Sequence, residues 1–149
     1  GDARITDAFL AWQKFSQETP NFDVGVIVSM AVKTPMAPEV VAAYNAPFPD
    51  DSFKAGARSF PLLVPTSPDD PASPANRAAW DVYEKWDKPL LTLFSYGDPI
   101  TAGGERIFQE KVPGAAGQPH RTIENAGHFL QEDKGPELAT AVADLIAAS

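Results

Sequence analysis

Apolar residues in the first sixty positions recur at helical intervals, and prolines interrupt them. Ile5, Phe9 and Trp12 stand at i, i+4 and i+7, a spacing that puts one apolar stripe on a helix over 5–17. Across 23–32, Val24, Val26, Ile27 and Val28 suit a helix but could equally pair as a strand, since β-branched side chains pack well on a pleated surface. Pro38 favours the first turn of a further helix through residue 44, and Pro47 and Pro49 close it. Another short helix is expected over 51–59. From 61 to 74 the prolines at 61, 65, 68, 71 and 74 exclude regular structure and suggest a surface strap at a subdomain boundary.

The second half changes rhythm. Ala75, Ala79, Val82, Tyr83 and Trp86 repeat at i, i+4, i+7, i+8 and i+11, predicting a helix of about three turns that packs on a sheet. The apolar run 90–95 lies between Pro89 and Gly97 without polar alternation, as in a central parallel strand buried on both faces. A helix over 103–112, a second strand over 121–124 and a final helix over 137–147, with Leu138, Val142, Leu145 and Ile146 inward, complete the pattern. This alternation of strand and helix predicts α/β architecture behind a mostly helical first half.

A chain of 149 residues with 44% hydrophobic content can bury a core. Its formal charge of −8 disfavours phosphate backbones and anionic lipid, so neither nucleic acid nor membrane is an expected partner. No apolar run approaches the roughly 18 residues of a membrane span. With no cysteine and two separate histidines, neither a disulfide framework nor a metal site is expected. A cytoplasmic location is compatible with the absence of cysteine.

Candidate chemistry lies in the loops that follow the two strands, where reactive groups collect in open α/β sheets. Asp98 stands just past the first strand, with Pro99 stiffening the turn, and Gly127 precedes His128 after the second. If the two side chains meet, Asp98 orients one ring nitrogen and leaves the other to activate water. A structural salt bridge or a helix cap is the commoner fate of such residues. His120, flanked by Pro119 and Arg121, is expected to be a surface residue.

The strings Phe94-Ser95-Tyr96-Gly97-Asp98-Pro99-Ile100-Thr101 and Gly127-His128-Phe129-Leu130-Gln131-Glu132 resemble haloalkane dehalogenases with a tryptophan in the cap. Phe9-Leu10-Ala11-Trp12, the segment 44–50 and the segment 54–61 resemble the cap of that family. The resemblance implies the C-terminal part of an α/β-hydrolase fold, with 1–74 as helical cap and strap and 75–149 as C-terminal strands and helices of the core. It implies Asp98 as catalytic acid, His128 as base, and Trp12 as donor to the departing halide. By the same match Phe9, Phe60, Pro61, Val64 and Ile100 line the substrate pocket. The partners are then a small haloalkane, the halide ion and water, with no cofactor. Without the resemblance, Trp12 reads as core, 60–64 as an apolar link between helices, and Ile100 as a loop seal. Tyr96 departs from the family, where a polar residue is common.

An α/β-hydrolase nucleophile needs a tight turn with glycines four apart, and no two glycines here have that spacing. The expectation is a C-terminal half whose aspartate nucleophile lies in a missing N-terminal half, and which folds stably only with it, because unpaired strand edges invite aggregation. Two other readings are epoxide hydrolysis, with Tyr44 near the cap position of an activating tyrosine, and a non-catalytic fragment that binds small apolar ligands. Against the first, an indole N–H donates to an anion but cannot serve as an acid.

Overall fold

Thr6 takes the Phe9 N–H on its hydroxyl at 3.1 Å and starts the first helix. In the computed structural model, which describes residues 5–148, the chain divides into two compact units, Gly1–Pro74 and Ala75–Ser149.

The first unit is helical. Helix α1 (Asp7–Glu18) follows Thr6, and α2 (Val24–Met30) settles the ambiguity of the valine run in favour of helix. The physical reason is the cap. Asp23 Oδ1 accepts the Val26 N–H at 2.9 Å, and Asn45 donates to the same oxygen at 2.8 Å while accepting the Gly25 N–H. A side-chain network at one end therefore selects the helix, which packs against α3 (Pro38–Asn45). The segment expected as one short helix is a 3-10 turn, Asp51–Lys54, running into α4 (Ala55–Ser59). A further 3-10 turn, Phe60–Leu63, occupies the start of the stretch expected to be irregular. Pro61 fits there because the first turn of a helix leaves its N–H groups unpaired anyway.

Helix α5 (Ser73–Tyr83) confirms the predicted periodicity but not its packing. Ala75, Ala79, Val82, Tyr83 and Trp86 are exposed, and Trp86 lies beyond the helix end. Instead the rings of Trp80 and Tyr83 meet Phe108 at 5.2 and 6.0 Å. Large aromatic rings gain more contact from a facing ring than the alanine-rich stripe gains from any neighbour.

Strands β1 (Leu93–Ser95) and β2 (Arg121–Ile123) pair in parallel, with Leu93 opposite Arg121 and Ser95 opposite Ile123. Both are shorter than the apolar runs suggested. β1 has one partner among the described residues, so of its side chains only Ser95 is buried and Leu93 and Phe94 are half-buried. Helix α6 (Glu105–Lys111) lies between the strands. A 3-10 turn, Pro113–Ala115, follows it and is tied back through Gly114, which donates to Trp86 O and accepts from the Leu90 N–H. A Cβ on Gly114 would lie 1.8 Å from Lys88 O, so only glycine allows this approach.

Helix α7 (Leu130–Ala148) is kinked at Lys134, two residues before Pro136, and begins earlier than expected. It turns Leu138, Ala141 and Leu145 inward, Ala141 being fully buried, whereas Val142 and Ile146 are exposed rather than inward. Among the described residues no helix is long and apolar enough to cross a membrane.

Candidate acid–base site

Because β1 and β2 run in parallel, the loops that leave them emerge at the same end of the sheet. Backbone and side chain then stitch the two loops together. Tyr96 N–H donates to Ile123 O at 3.2 Å. The buried Ser95 hydroxyl donates to Ala126 O at 2.5 Å and accepts the Gly97 N–H at 3.1 Å. The Asp98 side chain follows directly and is 3% exposed.

A buried carboxylate survives only where donors replace the lost water. Asp98 Oδ1 accepts the Ile100 N–H at 2.8 Å. Its Oδ2 accepts the Thr101 hydroxyl and faces His128 Nδ1 at 3.0 Å. Burial pushes the Asp98 pKa up, but the bonds from Thr101, Ile100 and His128 outweigh it and leave the carboxyl below its ordinary value of 3.8. Asp98 is therefore an acceptor only. The proton of a neutral His128 ring then resides on Nδ1, and Nε2 carries the lone pair.

The second loop is shaped by residues on either side of His128. Asn125 holds the left-handed conformation, with φ 53°, a role to which asparagine is suited by its short polar side chain. Gly127, expected to supply backbone freedom, donates its N–H to Asp133 Oδ2 at 2.8 Å, tying the loop to the start of α7. Phe129 sets its ring edge-on to the imidazole at 5.1 Å. The His128 side chain remains 32% exposed.

The structure thus brings Asp98 and His128 together, 30 residues apart in sequence. Ile100 is half-buried beside them, its N–H committed to Asp98. Ser95, Thr101, Asn125 and Asp133 also shape the site, without standing out in the sequence. Only Thr101 carried a signal: an aspartate before proline turns back on N–H and hydroxyl donors two and three residues on.

His120 is not a surface residue. It is half-buried, its Nδ1 accepting the Thr92 N–H at 3.1 Å and its Nε2 meeting Ala115 O at 2.8 Å. Among the described residues no group of three or more His, Asp or Glu side chains could hold a metal ion.

The remaining candidates lie in the first unit. Phe9 and Trp12 are half-buried on α1, which packs against α4 and the 3-10 turn that carries Phe60 and Pro61. Gln13 fastens the two by donating to Pro61 O at 3.1 Å. Pro61 is buried, whereas Phe60 is 70% and Val64 38% exposed. Trp12 stacks on Phe15 at 6.0 Å and lies against Phe22 at 6.1 Å.

No family model matches the chain. It is 55% identical to the haloalkane dehalogenase of Psychrobacter cryohalolentis over 146 residues, 98% of this chain and 48% of that protein. The chain is related to the haloalkane dehalogenases. The haloalkane dehalogenase of Mycolicibacterium paratuberculosis is 50% identical over 93% of this chain and 46% of its own length. The chain therefore spans about half the length of the curated relatives it matches. Among solved structures, the tetrameric haloalkane dehalogenase DpaA from Paraglaciecola agarilytica superposes with a TM-score of 0.79 at 24% identity, over 93% of this chain and 46% of that one. DatA from Agrobacterium tumefaciens gives 0.75 at 17%, over 97% and 53%. These likenesses carry the fold, that of the α/β-hydrolases, of which the helix-rich chain and its small two-stranded sheet are a part.

Proposed function

We propose that this chain supplies the acid–base half and the halide-binding lid of a haloalkane dehalogenase, in which an N-terminal half brings the nucleophilic aspartate. The observation that carries the reading is the 3.0 Å contact between the buried, ionised Asp98 and His128 Nδ1. It accompanies 50–55% identity to proteins named haloalkane dehalogenase.

The aspartate of the other half attacks the carbon bearing the halogen, and halide leaves with the bonding electrons. Carbon and carboxylate are then joined as an alkyl ester. His128 Nε2 takes a proton from water, and the hydroxide formed attacks the ester carbonyl carbon. The tetrahedral intermediate collapses, the alkoxide leaves as alcohol with the proton of the added hydroxyl, the aspartate returns as carboxylate, and the imidazolium gives its proton to solvent. Dividing the displacement in two keeps each barrier low. Asp98 holds the ring in its Nδ1–H form and balances the imidazolium as it forms. The Trp12 indole N–H donates to the leaving halide, an interaction strongest where water is excluded. On the same reading Phe9, Phe60, Pro61 and Val64 of the first unit, and Ile100 of the second, are the residues assigned to the alkyl chain.

The test joins this chain to the N-terminal half of the Psychrobacter cryohalolentis relative and assays the chimera with a bromoalkane and with an epoxide. Bromide release in multiple turnovers is the expected result. Diol from the epoxide without bromide release, or neither product from a folded chimera, contradicts the proposal.

A further inference from the structure

Arg58 has no place in the chemistry above, yet it is among the most heavily committed side chains of the first unit. Its Nη1 donates to Ser16 O and its Nη2 to Thr19 O, each at 2.9 Å. Both carbonyls belong to the C-terminal end of α1, where the last backbone oxygens lack partners and carry the negative end of the helix dipole. The guanidinium also lies over the Phe22 ring, 4.7 Å from its centre. Gln17 returns the contact by donating to Arg58 O at 2.5 Å.

Phe22 is 2% exposed. With Arg58 against it and Trp12 at 6.1 Å, the three form a chain of contacts from guanidinium to phenyl to indole. Trp12 is also backed by Phe15 on the same helix. Its indole plane is thus fixed from within α1 by Phe15 and from outside by Phe22, and Phe22 is held against Arg58. The α1 end of this arrangement is clamped by the same side chain.

We infer that Arg58 is a positioning residue for Trp12, acting through Phe22 and through the end of α1. The inference rests on Trp12 being the halide donor. Hydrogen-bond donation to an anion depends on the direction of the N–H, so a small rotation of the indole weakens halide binding without removing the donor. Lysine does not replace arginine here. It keeps a charge near the helix terminus but cannot fork to two carbonyls and lie flat on a ring at once.

The experiment uses the chimera labelled with fluorotryptophan. Its fluorine resonance for Trp12 is assigned by loss in Trp12→Phe, and bromide is titrated in each variant. Arg58→Lys is expected to move the Trp12 resonance, to leave those of Trp80 and Trp86 in place, and to weaken bromide binding about tenfold. Phe22→Leu removes the middle contact and is expected to act in the same direction. If Trp12→Phe weakens bromide binding but Arg58→Lys and Phe22→Leu leave both the resonance and the affinity unchanged, the positioning role is overturned. If Trp12→Phe itself leaves bromide affinity unchanged, the halide role of Trp12 fails instead, a separate outcome that removes the ground for this inference.

Discussion

His120 precedes β2 and His128 follows it, so one short strand carries an imidazole near each end. At the first end both ring nitrogens are spent. Thr92 N–H can only donate, so His120 Nδ1 is the acceptor and its proton sits on Nε2, bonded to Ala115 O. At the second end the tautomer is reversed. The ionised Asp98 only accepts, so the proton of a neutral His128 ring is on Nδ1 and the lone pair on Nε2, with a third of the side chain exposed. The same residue type is thus a structural bridge at the amino end of a parallel pair and, under the proposed function, the base at the carboxyl end, where ligand sites form in such sheets.

Exchanging the two histidines for alanine in the chimera is the severest test of that contrast. His128→Ala is expected to lower steady-state bromide release by about 10²–10⁴-fold, the range for loss of a general base. His120→Ala should leave turnover nearly intact. Equal losses in kcat for both would erase the distinction.

Asp98→Asn keeps the shape but offers either an acceptor or a donor to the ring. The tautomer is then no longer dictated, and a loss of about 10²-fold or more in kcat is expected. A wild-type rate would show that Asp98 is merely structural.

His120→Ala should instead register in stability. It leaves the amide of Thr92, a residue 5% exposed, without its partner, at a cost of about 1–3 kcal/mol read from the denaturant midpoint. A midpoint equal to that of the parent would mean that the bridge contributes nothing.

The smallest effect concerns pH. The folded pKa of Asp98 lies below its ordinary value of 3.8, so its contribution to stability is present above that value and is lost as pH falls through the lowered one. Parent and Asp98→Asn chimeras should therefore differ most near neutral pH and converge in acid. A difference that widens in acid reverses the sign of the shift.

Much of this was legible from spacing. The helices over α1 and α3 and the two strand positions follow from apolar period and proline, and the two loop strings singled out Asp98 and His128. What the sequence could not reveal depends on distant partners. The valine run of α2 is helical because Asn45 joins Asp23 in capping it. His120 looked exposed because its neighbours Pro119 and Arg121 are polar or kinked, whereas its partner Thr92 is 28 residues away. The stripe of α5 has the spacing of a buried face, yet an amphipathic period predicts a helix and not what covers it. Arg58 and Phe22 gave no local signal, since their partners Ser16, Thr19 and Trp12 lie on α1.

Under the proposed function the Asp98–His128 pair activates water against an ester formed on another residue. Intact-protein mass measurement of the His128→Ala chimera after exposure to a bromoalkane tests it most directly. One bromide released per protein and a mass increased by one alkyl group, located on an aspartate of the N-terminal half, are expected. An unmodified mass in a folded chimera that binds bromide, or continued turnover with no trapped alkyl group, would contradict it.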